Sequence, residues 1–356
     1  MELTKKEVAM LKGAAILGML SLHLFCRKEV SGLYDVFPTI HHVPLVYYLG
    51  LFGDVCVPIF CFASGYGLYA SYQSNEKKLQ GKPMFQRILK LLINFWVILL
   101  LFIVLGYVMN NPTLTEGGFK AFLLNASLLS NSYNGAWWFL QTYVLLVLTA
   151  SFLFRWVQRT SPRTVISVLL LVYIVSYIQR IKQVVILDNE WVWIVTNAIV
   201  LYGTSLLPFL VGALFYKEKY YSRFVSWAMK LPFKNALAGC AIVGLIVLHA
   251  FIESLFIAPF IAIVFICCFS FIKKPAFIQR AFHYLGDHST NIWLVHMFLY
   301  GSFFTELVFA PKYPVLILAW LVLLSLACSY AVKWIVTPIQ RFVTQQKQSV
   351  TKAVQQ

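Results

Sequence analysis

Ten apolar runs follow one another along this chain of 356 residues, at about 10–26, 46–72, 89–109, 136–155, 164–181, 191–216, 236–253, 255–272, 288–309 and 314–337. Each matches or nearly matches the ~17–25 residues a helix needs to cross a bilayer. The block 236–272 is too long for one crossing and divides at Glu253–Ser254. With 60% hydrophobic and 12% charged residues, the chain departs from a soluble domain, which is nearer half apolar and a quarter charged. The expected fold is all-α: a polytopic transmembrane bundle of about ten spans. The first run carries His23 and lacks a small-residue cleavage site, so it reads as a span and not as a removed signal.

The net charge of +16 does not point to nucleic acid, because of how it is placed. An even number of spans puts both termini on one side. If that side is the cytoplasm, all but six of the 29 lysines and arginines fall on inner segments; the six are Arg27, Lys28, Lys120, Arg180, Lys182 and Lys312. That asymmetry predicts cytoplasmic termini. The seven cysteines lie in or beside apolar runs with no CxxC pair, and read as reduced packing residues with no metal site. The segment 117–129 is apolar but too short to cross and suits an interfacial or re-entrant piece on the outer side. The chain divides into a membrane domain, 1–340, and a polar cytoplasmic tail, 341–356, expected to fray.

Polar residues inside such runs are expensive unless they face a wet cavity or a partner. In KGAAILGMLSLHLF, Lys12 and His23 are close to three helical turns apart, so they share one face. The rise between them is roughly 16 Å, which sets Lys12 at one surface and His23 near mid-depth. His23 reads equally as a functional group or as a histidine that bonds a neighbouring helix. Asp54 enters the second span from the outer side; a membrane aspartate needs a partner, and a carboxylate near a histidine can orient it. Gly65, in Ser64-Gly65-Tyr66, suits close helix packing better than a cavity. Arg87 and Lys90 are three apart at the inner mouth of the third span, a spacing that serves an ordinary inner anchor and also a phosphate grip. Trp137 and Trp138 suit an outer aromatic belt or a sugar-stacking wall, and Gln141 is polar one turn further in. Ser289, Trp293 and His296 recur on one face of the ninth span. Counted from His288, His296 lies roughly 12 Å deep, close to the depth of His23. Matching depth suggests one shared polar cavity, with two unrelated interhelical bonds as the alternative.

Taken together, these motifs resemble the membrane-bound acyltransferase family 3, whose members O-acylate bacterial surface carbohydrates and related acceptors. The basic residue and histidine of the family's first span are matched by Lys12 and His23. The aromatic, serine, glycine pattern of its second span is matched by Phe60, Ser64, Gly65 and Tyr66 with slightly different spacing. Its inner arginine pair is matched by Arg87 and Lys90, its Trp-Phe-Leu block by Trp138–Leu140, and its late block by Leu285, Gly286, Ser289, Trp293 and His296. The lysine at 90 departs from the pattern and weakens bidentate phosphate recognition. The resemblance implies acyl transfer, most simply of acetyl from acetyl-CoA, to a hydroxyl of a cell-envelope polysaccharide or its lipid-linked precursor, in a bacterial plasma membrane and without a metal.

On that basis His23, Asp54 and His296 are the expected catalytic residues. Lys12, Arg87 and Lys90 are expected at the CoA phosphates. Ser64, Tyr66, Trp138, Gln141, Ser289 and Trp293 are expected at the substrate. His23 serves either as general base or as the site of a transient acyl group. A transporter or flippase of a lipid-linked sugar or organic anion is the competing class. It would favour paired, broken helices in two halves, and no such pairing is seen in the sequence.

Overall fold

The computed structural model describes residues 2–184 and 189–353, with side chains considered to residue 342. Ten helices answer to the ten apolar runs: α1 Lys5–Phe25, α2 Leu45–Ser74, α3 Gly81–Val108, α4 Gly135–Arg159, α5 Pro162–Lys182, α6 Glu190–Glu218, α7 Lys234–Phe251, α8 Leu255–Phe271, α9 Ala276–Met297 and α10 Pro314–Ala353. Eight are long and apolar enough to cross a membrane. Of the other two, α8 is apolar but shorter, and α9 is long but richer in polar residues. The break between α7 and α8 falls at Ile252–Ser254, where the long apolar block was expected to divide. The only strand pairing among the described residues is the short Thr39–Ile40 with Val43–Pro44.

Local chemistry sets the helix ends. Thr4 caps α1 through a reciprocal box with Glu7. Ser161 caps α5 ahead of Pro162, and Asn189 accepts from the first amides of α6. The helix α9 starts directly after Pro275, well before His288, so the histidine face continues a longer helix than the apolar run alone implies. The tail expected to fray continues α10 as far as Ala353; after Pro338 it is built largely of residues that tolerate a helix. Residues 354–356 of that tail lie outside the described part. In the segment expected at the interface, Gly118–Ala126 forms a nine-residue helix, too short to cross, whose Ala126 carbonyl accepts from the Trp96 indole at 2.9 Å.

Two helix crossings hold the bundle's centre, and both depend on missing side chains. A Cβ at Gly13 would run into the Phe282 carbonyl oxygen, and one at Gly286 into that of Ala9. These reciprocal glycines let α1 lie directly against α9. Gly65 and Gly212 do the same for α2 and α6, against the carbonyls of Phe209 and Phe62. Backbones in such close approach gain dispersion contact that lipid cannot supply. Gly65 is therefore a packing residue, as its sequence context suggested.

Long-range bonds sort the loops into two faces. Leu3 N–H and Glu2 meet Tyr66 near the end of α2, Ser222 donates to Glu2 beyond α6, and Lys6 reaches Gln279 at the start of α9. Lys217 caps Val157 and Thr160 at the end of α4, and Gln340 reaches the Lys90 carbonyl. The N-terminus thus shares one face with the basic segments. The opposite face is tied by Lys28–Glu253 at 2.7 Å and by Asp35 N–H to the Lys312 carbonyl.

Candidate active site

Two chambers meet inside the bundle. The first, about 160 Å³, reaches toward the N-terminal face and is lined by Lys12, Ser64, Arg87, Tyr143, Ser289 and Thr290 among apolar neighbours. The second, about 240 Å³, reaches toward the opposite face and is lined by His23, Asp54, Trp138, Tyr173, Tyr177 and Arg180, with Thr204 and Ser205. Met19, Cys56, Val57, Phe139 and Trp293 line both and form the waist between them. Lys12, Met19 and His23 are spaced by seven and four residues, so one face of α1 runs from the first chamber through the waist into the second. The glycine crossing of α1 on α9 brings that face against Trp293 and His296.

His23 stands at the inner end of the second chamber. Its ring centroid is 5.0 Å from that of His296, in a T-shaped arrangement at 61°, and its Nδ1 lies 3.4 Å from the Tyr300 hydroxyl. His296 is fully buried and its Nδ1 is 2.7 Å from the Trp293 carbonyl. A carbonyl only accepts, so Nδ1 carries the proton and Nε2 presents a lone pair, which has no hydrogen-bond partner. Directly after α9 the chain passes into a π-helical segment, Phe298–Phe303, which carries Tyr300. Wide turns of this kind are frequent at functional sites. The matched depth of the two histidines, inferred from spacing, is thus a direct ring contact. Of His23, His296 and Tyr300, only His23 lines the second chamber; His296 and Tyr300 line neither chamber and pack against the His23 ring from behind it.

Asp54 does line this chamber but does not orient His23. Its carboxylate faces His249 of α7, 3.5 Å from Nε2. His249 is fully buried, and its Nδ1 is 3.2 Å from the Ile252 carbonyl, while its Nε2 lies at ion-pair distance from Asp54 without a hydrogen bond. At the same face the Lys28 ammonium bonds Glu253 and holds that carboxyl below the ordinary carboxylate range; Tyr47 donates to it as well, at 2.9 Å.

Lys12 and Arg87 line the first chamber, and neither makes an ion pair or hydrogen bond with another described residue. Two unpaired cations over hydroxyl-bearing walls suit a phosphorylated ligand. Ser64, Ser289 and Trp293 also line this chamber. Ser289 donates to the Gly286 carbonyl, and Trp293 to that of Ala136.

Three expected site residues are elsewhere. Lys90 does not line the chamber that Arg87 lines, although the two stand about one helical turn apart and both are exposed. Tyr66 is buried behind the chamber wall, accepting from Leu3 N–H at 3.0 Å and donating to Glu2 at 3.1 Å; it tethers the N-terminus. Gln141 opens into a separate outer groove of about 220 Å³, with Trp193, Asn197 and Glu190, on the far side of Trp138. The tryptophan pair divides too. Trp137 is buried and donates to the Leu294 carbonyl, so it is no belt residue, whereas Trp138 lines both the second chamber and the outer groove.

The sequence alone does not mark Arg180, His249 and Tyr300 as site residues. Arg180 did carry a signal, being one of six cations off the basic face. Tyr300 follows His296 by one helical turn. His249 sits alone in an apolar run, and its partnership with Asp54 depends on how α2 and α7 meet.

The family model described as an acyltransferase domain, that of acyltransferase family 3, matches residues 6–334. The chain belongs to acyltransferase family 3. The match spans α1 to the middle of α10. The protein is thus a multi-pass membrane acyltransferase, and the family decides for acyl transfer over transport. No curated protein and no solved structure matches the chain.

Proposed function

We propose that this acyltransferase moves an acetyl group from acetyl-CoA, taken up from the cytoplasmic face, to a hydroxyl of a cell-envelope glycan or its lipid-linked precursor in the second chamber. The observation that supports this most is the joined pair of chambers. One has free cations and the other a histidine cluster, and a single helix face connects them. CoA phosphates would lie near Lys12 and Arg87, with the thioester arm extending along Ser64 and Ser289 to the waist. Lys90 has no part in that path. Positive segments on the N-terminal face favour the cytoplasm on that side.

In the direct route the acceptor hydroxyl oxygen attacks the thioester carbonyl carbon. His23 takes the hydroxyl proton, a C–O bond forms, the C–S bond breaks, and CoA leaves as a thiolate that is then protonated. Tyr300 at Nδ1 fixes which His23 nitrogen faces the chamber, and His296 stands edge-on to the charge that develops on the ring. In the two-step route a His23 ring nitrogen attacks the thioester carbonyl, the C–S bond breaks and CoA leaves as a thiolate that is then protonated. The acceptor hydroxyl oxygen next attacks the acetyl carbonyl, losing its proton as the C–N bond breaks and His23 is restored.

Membranes holding the protein, supplied with labelled acetyl-CoA, should transfer label to envelope glycan, and those holding His23→Gln should not. Absence of transfer from acetyl-CoA and from a panel of longer acyl-CoAs would overturn the donor assignment.

A further inference from the structure

We propose, building on the acyl-transfer reading, that the acceptor carries an anionic group, a carboxylate or a phosphate, and that Arg180 binds it. Arg180 lies near the outer end of α5 and lines the second chamber together with His23 and Asp54. Its guanidinium carbon sits over the Trp138 ring, 5.1 Å from the centroid. No carboxylate among the described residues comes within ion-pair distance of it.

The neighbouring polar groups already have partners. Asp54 faces His249, the Tyr177 hydroxyl is 3.0 Å from Ser254 Oγ, Tyr173 donates to the Phe256 carbonyl at 2.9 Å, and Glu190 pairs with Lys120 at 3.6 Å. An arginine this close to a helix end can extend to the membrane surface when it has nothing to bind. Arg180 instead lies over an indole at a cavity wall. Stacking engages the flat face of a guanidinium and leaves its N–H donors free in the plane. Those donors form a fork that fits two oxygens of a carboxylate or a phosphate. A neutral sugar offers nothing that matches the charge. The chamber therefore sorts acceptors by an anionic group set apart from the reacting hydroxyl. That group is either an acid on the sugar or the phosphate that links the sugar to a carrier.

The test uses the purified full chain in a neutral polyoxyethylene detergent. Binding of three labelled probes is measured by equilibrium dialysis: methyl glucoside, methyl glucuronoside and glucosyl methyl phosphate. At least one anionic probe should bind about tenfold or more tightly than the glucoside, the scale of one charge-assisted forked contact. Which one does so separates the sugar acid from the carrier phosphate. Arg180→Gln should bring the probes to within about twofold of one another while acetyl-CoA binding stays unchanged. Arg180→Lys, which keeps the charge, should retain part of the preference, and it serves alone if the Gln variant does not accumulate. Equal binding of all three probes by the native protein overturns the proposal, as does a preference that survives in Arg180→Gln. Loss of the preference in phosphatidylglycerol nanodiscs but not in phosphatidylcholine nanodiscs also overturns it, and marks a lipid headgroup site. Failure of acetyl-CoA to donate would leave these binding contrasts intact, so the two ideas fail separately.

Discussion

Asp54 gives its carboxylate to His249, 3.5 Å from Nε2, while His23 on the facing helix takes Tyr300 and His296 as its neighbours. Two separate groups, the Asp54–His249 pair and the His23–His296–Tyr300 cluster, thus stand where the sequence suggested one Asp–His unit.

If Asp54 and His249 act as one pair, their effects will not add. Asp54→Asn and His249→Gln should each lower acyl transfer, and the double variant should be little worse than the more damaging single one. Additive losses in kcat/KM would mean that the two residues serve different steps.

His23→Gln should cut transfer by about 10²–10⁴-fold, the range for a lost general base, or more if His23 carries the acyl group. Abundance in the membrane should hold, because one interhelical hydrogen bond is worth only about 0.6–2 kcal/mol. Glutamine keeps a hydrogen-bonding group of similar size but cannot take a proton near neutral pH. Near-normal activity in this variant would make His23 a packing residue.

Arg87 and Lys90 separate what their spacing made look alike. Arg87→Ala should raise the KM for acyl-CoA with kcat nearly kept, since contacts to remote phosphates bind ground and transition states about equally. Lys90→Ala, off the chamber, should leave both constants close to native. A matching rise in KM for Lys90→Ala would move the donor site outward to include it.

Gly65→Ala should act on the fold and not on the chemistry. Its methyl group would meet the Phe209 carbonyl, part of the backbone of α6, which cannot step aside as a flexible side chain can. Gly67, two residues on, has open space where a Cβ would point and is the matched control. Thermal unfolding in detergent should show a marked drop for Gly65→Ala and almost none for Gly67→Ala.

Most of the fold was legible because bilayer thickness dictates run length. The ten runs, the break after Glu253 and the segregation of basic residues follow from that single constraint. Lys12, His23 and His296 were legible for a related reason: a polar group is conspicuous in lipid, and helical spacing gives its depth. Lateral position was not legible. Which helix lies beside which decides that Asp54 meets His249, that Tyr66 secures the N-terminus and that Gln141 faces a different groove. Those outcomes rest on close crossings such as Gly13–Gly286, whose partners are hundreds of residues apart in sequence.

The waist of Met19, Phe139 and Trp293 has a consequence for the cell as a whole. A membrane that stores energy as a voltage can tolerate a cavity from each side only if the two never merge into a continuous column of water. Large apolar side chains at the junction offer few partners to the water wire along which protons would hop. Trimming them would make the protein a slow short circuit. Met19, Phe139 and Trp293 thus stand where any water column between the two faces would have to pass.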